Sequence, residues 1–127
     1  MPPRAVFMTK YINKKSIKVL FVISSFAILI FSLLPGSQLP NDLPWDKAMH
    51  FVGYAGLAFL ARYGSAKHPS WQLVIGCILF SIIIELLQLI VPNRSFEWMD
   101  ILANSLGVLS GLLLAVFLKH IDVKESH

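Results

Sequence analysis

The sequence predicts an all-α, polytopic membrane protein with four transmembrane helices and both termini cytoplasmic. Three observations lead there. Of the 127 residues, 56% are apolar and only 14% are charged, about half the charged share of soluble domains. The mean hydropathy is +0.68. The apolar residues fall into four runs, punctuated by proline, glycine and charge. The basic residues alternate from one connecting segment to the next. At this length the chain forms a single membrane domain, residues 1–127, rather than two units.

The first run spans residues 17–34, about 18 residues and just enough to cross a bilayer. Pro35-Gly36 ends it. Arg4, Lys10, Lys14, Lys15 and Lys18 precede it without any acid. A basic stretch before an apolar run also opens a signal peptide. No small-x-small cleavage pattern follows Leu34, so a retained anchor is the better reading.

The second run is shorter. Residues 48–61 are apolar, and including Pro44-Trp45-Asp46-Lys47 and Arg62-Tyr63 gives a helix over 44–63. That is roughly 20 residues, or about 30 Å. Pro44 suits a first turn, and Trp45 and Tyr63 then mark opposite interfaces. The third helix is expected over 71–91, capped by Ser70 and stopped by Pro92. The fourth is expected over 100–118, with Ser95 offering an earlier cap.

Orientation follows from the basic residues. The N-terminal tail, the 62–69 turn and the tail from Lys119 hold nine of the 11 lysines and arginines. Segments 35–47 and 92–99 hold only Lys47 and Arg94, beside Asp42, Asp46 and Glu97. The positive-inside rule puts the first group in the cytoplasm and the second outside. The basic N-terminus is therefore a membrane flank, and no nucleic-acid partner is expected.

Polar residues lie in register on three helices. Asp46, His50 and Tyr54 are four apart on helix two. Glu85 and Gln88 share a face of helix three, and Glu85 lies about 10 Å inside its outer end. A carboxyl group at that depth needs a polar partner or a proton. Asp100, Asn104, Gly107 and Gly111 follow one face of helix four. The deeper part of that face is a Gly-x-x-x-Gly surface suited to close helix contact. Gly53 and Gly56 on helix two are expected to pack in the same way. Brought together, the stripes give a candidate ligand-binding pocket of Asp46, Lys47, His50, Glu85, Gln88, Arg94, Asp100 and Asn104.

Each of these residues also has a plainer reading. Asp46 and Asp100 suit helix caps, Asn104 and Gln88 suit bonds between helices, and Tyr54 suits packing. Lys47 and Arg94 suit solvated or lipid-facing anchors. Phe96 and Trp98 read as interfacial aromatics. The lone Cys77 makes no internal disulfide, and no short cluster of the His-Glu-x-x-His kind exists. No metal site and no cofactor are therefore expected.

The motifs Asp46-Lys47-x-x-His50-Phe51-x-x-Tyr54 and Glu85-x-x-Gln88, then Pro92-Asn93-Arg94-Ser95-Phe96 and Asp100-x-x-x-Asn104-x-x-Gly107, resemble the VanZ-like membrane family. The resemblance runs over residues 35–118; the first helix agrees by hydropathy more than by motif. It implies a bacterial cell-envelope protein, multi-pass in the cytoplasmic (inner) membrane. The family's namesake is an accessory protein of glycopeptide resistance, linked to reduced teicoplanin susceptibility. That phenotype is a family-level association, and the resemblance names no catalytic residues.

The residues themselves favour a binder of an anionic lipid or lipid-linked cell-wall precursor at the outer face. Arg94, Lys47 and His50 would meet the anion. One alternative is a membrane enzyme acting on a lipid-linked envelope substrate, with His50 and Glu85 as the catalytic candidates. Another is a proton-coupled transporter component using Glu85. Compartment reporters fused separately to the two termini test the topology: both are expected to report cytoplasm, and tails on opposite sides would exclude it.

Overall fold

The computed structural model describes residues 13–35, 46–65 and 67–125. The described residues form four α-helices: α1 (Lys14–Ser32), α2 (Asp46–Gly64), α3 (Ser70–Leu87) and α4 (Trp98–Glu125). There is no strand among the described residues. Pro44 and Trp45, expected in the first turn of the second helix, lie outside the described residues.

Local chemistry moves the helix ends from where hydropathy put them. Asn13 caps α1, its side-chain oxygen accepting from the Ser16 N–H at 2.7 Å. The helix therefore starts among the lysines rather than at Ile17. Ser70 does not cap α3; Pro69 holds the cap position and makes no side-chain bond. Ser70 Oγ instead accepts from the Arg62 guanidinium at 3.1 Å. α3 tightens into a 3-10 turn over Gln88–Ile90 and stops at Val91, whose extended backbone is what a following proline demands. Asn93 then turns the chain with φ 60, a conformation asparagine tolerates. Ser95 lies outside α4, which begins at Trp98. α4 is 28 residues long and runs past the predicted end at 118. Hydropathy marks where an apolar run stops, whereas good helix formers such as Lys119 and Lys124 carry the helix on.

α2 is the hub, because it packs against each of the other three helices and most intimately against α4. A Cβ on Gly107 would strike the Phe51 carbonyl, and one on Gly111 would strike the Ala55 carbonyl. Both glycines thus allow backbone-to-backbone contact. Gly64 similarly makes room for Ile17 of α1. The expectation for Gly53 and Gly56 is corrected: a Cβ at either meets nothing within 4 Å. Gly53 borders an open cleft and Gly56 is exposed, so neither is a close-contact point.

The polarity of the molecule is inverted relative to a soluble bundle. Among the described residues the central apolar cluster is Tyr54, Leu57, Ala58, Cys77 and Val108, with Phe21, Ile28, Val74 and Phe80 packed against it. Large apolar side chains such as Phe31, Val52, Ile90 and Leu113 face outward. Among the described residues the buried polar ones are Ser81, Glu85, Gln88, Asp100 and Asn104. Such an arrangement is stable only where the surroundings are apolar. Among the described residues three stretches are long and apolar enough to cross a membrane: Lys14–Ser32, Ser70–Ile90 and Trp98–Ile121. α2 is 19 residues long and less apolar, with Lys47, His50 and Arg62 near its ends. Its central position shields much of its surface behind other helices.

At the other end of the bundle, basic side chains close the α2–α3 turn. Arg62 donates to the carbonyls of Ser65 and His68, and Lys119 donates to the Arg62 carbonyl at 3.0 Å. Cations there also complement the negative end of α2.

Gly107→Ala and Gly111→Ala should each destabilise the detergent-solubilised protein by about 1–3 kcal/mol through overpacking. Gly56→Ala should be neutral or stabilising by a few tenths of a kcal/mol, up to about 1. Thermal unfolding followed by circular dichroism separates the two classes.

Candidate functional site

The polar cluster is built by register. α2 presents Lys47, His50 and Tyr54 at spacings of three and four. α3 presents Ser81 and Glu85 four apart, and the 3-10 turn that follows begins with Gln88, three residues on. α4 presents Asp100, Asn104, Gly107 and Gly111. Each set lies on one helical face. The glycine contact between α2 and α4 brings their polar ends alongside.

Lys47 donates to Glu97 and to Asp100 Oδ1. His50 Nδ1 lies 3.1 Å from Asn104 Oδ1. An amide oxygen only accepts, so Nδ1 carries the proton in this bond. Asn104 is held in that orientation because its amide nitrogen donates to Ser81 Oγ at 2.8 Å. The other ring nitrogen, Nε2, faces Asp100 Oδ2 at 3.7 Å, too long for a hydrogen bond. Glu85 is 0% exposed. Its Oε2 accepts from the Glu97 backbone N–H at 3.2 Å, while Oε1 has no hydrogen-bond partner among the described residues. His50, Glu85 and Asp100 each place a nitrogen or oxygen within 4.8 Å of the others.

Lys47, His50, Glu85, Asp100 and Asn104 are therefore neighbours. Gln88 and Arg94 point elsewhere, to the end of α1. Gln88 donates to the Ser32 carbonyl at 2.9 Å. Arg94 donates through Nε to Leu34 and through Nη2 to Phe31, both at 3.0 Å. These bonds satisfy carbonyls that a helix end leaves open. The Asp46 side chain lies outside the described residues.

Beside the cluster, α1 and α2 enclose a cleft of about 290 Å³. Its apolar wall is Ala27, Ile28, Phe31, Met49 and Gly53; its polar lining is Ser32, His50, Tyr54, Gln88 and Arg94. His50 belongs to both cleft and cluster. Among the described residues no carboxylate pairs with Arg94.

A family model described as VanZ/LLP1 matches residues 4–119. The chain belongs to the VanZ/LLP1 family. Together with three span-capable helices, that membership fits a multi-pass membrane protein of the VanZ-like kind. The match takes in α1, which the quoted motifs do not touch. No curated protein and no solved structure matches the chain.

Two contributors escaped the sequence reading. Ser81 is fully buried and anchors Asn104. Its signal was available, since it stands four residues before Glu85 on the same face. Glu97 joins twice, through its carboxylate to Lys47 and its backbone to Glu85. It precedes α4 in an irregular segment, where no periodicity points to it.

Replacing Arg94 with alanine should cost about 1 kcal/mol of stability, chiefly by leaving the part-buried Leu34 carbonyl unsatisfied. Amide hydrogen exchange should rise at the C-terminal turn of α1. Arg94→Lys should restore less than half of the loss, because an ammonium lacks the guanidinium fork.

Proposed function

We propose that this VanZ/LLP1 protein is a non-enzymatic, four-span protein of the bacterial cytoplasmic membrane. In this reading both termini are cytoplasmic. The protein binds an anionic lipid or lipid-linked cell-wall precursor from the outer leaflet. The observation that carries the reading is the cleft between α1 and α2, apolar along one wall and polar at its end.

An amphiphile suits such a cavity. Its chain would lie along Ile28, Phe31, Met49 and Gly53, in the manner of largely apolar ligand pockets. Its anionic group would meet Arg94, whose guanidinium is fixed by α1 carbonyls and paired with no carboxylate among the described residues. His50 and Gln88 would complete the polar contacts. Lys47 takes a different role from the one its charge invites. Two carboxylates already engage it, so it orients Asp100 rather than meeting the ligand. Asp100, Asn104 and Glu85 likewise support His50 from behind.

Phosphatidylglycerol and phosphatidylcholine titrated against the detergent-purified protein, read by native mass spectrometry, test this reading. The anionic lipid should bind preferentially. Arg94→Gln should remove the headgroup preference. Gly53→Leu should weaken both lipids by projecting a side chain into open cleft space. Unchanged binding and selectivity in both variants would exclude this cleft as the site.

A further inference from the structure

The geometry points to a divalent transition-metal site formed by His50, Glu85 and Asp100, on three different helices and sharing only His50 with the lipid cleft. The three residues offer one imidazole nitrogen and two carboxylate oxygens within 4.8 Å of one another. That donor set suits zinc or manganese. Metal bonds of about 2.1 Å put tetrahedral ligand atoms about 3.4 Å apart. His50 Nε2 and Asp100 Oδ2 stand 3.7 Å apart, so that edge needs almost no adjustment.

Three further features support the site. The Nδ1–H of His50 is given to Asn104, which directs the Nε2 lone pair toward Asp100. Metal-binding histidines characteristically donate their second nitrogen to such an acceptor. Glu85 is fully buried, yet its Oε1 has no hydrogen-bond partner among the described residues. A bare carboxylate oxygen in that position is costly unless a cation or proton meets it. Finally, among the described residues Lys47 contributes +1 against −3 when Glu85, Glu97 and Asp100 are all ionised, and a divalent cation bound at the cluster would balance the remaining −2. The absence of a compact ligand motif argued against a metal from sequence. Here the ligands are 35 and 15 residues apart along the chain and meet only through helix packing.

The test uses the full-length protein in detergent, stripped with chelator and dialysed against Zn²⁺ or Mn²⁺ alone. Elemental analysis should find close to one equivalent of metal. Glu85→Gln and His50→Gln should each abolish retention in protein that stays helical and monodisperse. Asn104→Ala, which touches no metal, should weaken affinity by about 10–100-fold. His68→Ala and His120→Ala, at exposed histidines, should change nothing. Co²⁺ absorption of the unmodified protein gives a readout independent of the variants, with ligand-field bands expected. Failure to retain metal, absence of those bands, or retention that depends on His68 or His120 would each overturn the site.

Discussion

Gly107 and Gly111 let α4 lie directly on the Phe51 and Ala55 carbonyls of α2, and that contact sets the register of everything above it. Two helices touching through backbone have little freedom to slide. One turn toward the helix end, the same register sets Asn104 against His50. One turn further, it sets Asp100 against Lys47. α3 then completes the cluster with Ser81 and Glu85. Small residues at one level thus fix where charged residues meet at another. Neither set alone would specify the arrangement, because glycine contact is unselective and polar pairing in a flexible bundle has many solutions.

The buried polar residues and the exposed apolar ones follow from the same physics. In a hydrocarbon environment there is little to gain from bringing leucine together with leucine. What must be hidden is the polar surface. Glu85 and Asn104 are 0% and 1% exposed, whereas Ile90 is 81% exposed. The core is accordingly held by hydrogen bonds and close backbone approach as much as by apolar packing. α2 carries the most polar face and contacts every other helix. Its modest hydropathy reflects that position.

Much of this was legible in the sequence, for definable reasons. Helical periodicity placed His50, Glu85, Asp100 and Asn104 on the faces that meet, because spacings of three and four have one geometric meaning; Lys47 entered the pocket only as the neighbour of Asp46. The Gly-x-x-x-Gly face of α4 was read correctly by the same rule. Gly53 and Gly56 were not, since a glycine announces room but not whether another helix fills it. Helix ends were misplaced where capping or propensity overrode hydropathy, as at Asn13 and beyond Leu118. Arg94 read as a cation seeking an anion. Its bonds to main-chain carbonyls of α1 could not be foreseen, since a backbone acceptor leaves no mark on the residue that owns it.

That last point bears on how the first helix can vary. Gln88 and Arg94 grip α1 through the carbonyls of Phe31, Ser32 and Leu34, groups that any residue supplies. These polar bonds read the main chain and are indifferent to the side chains of the residues that accept them. Along α1, side-chain identity therefore matters chiefly where it faces the bundle or the cleft, at Ile17, Phe21, Ile28 and Phe31. Changes at the two gripping residues have no such latitude. A helix gripped by its carbonyls keeps its seat through any change at its outward-facing positions that preserves helix and apolar character.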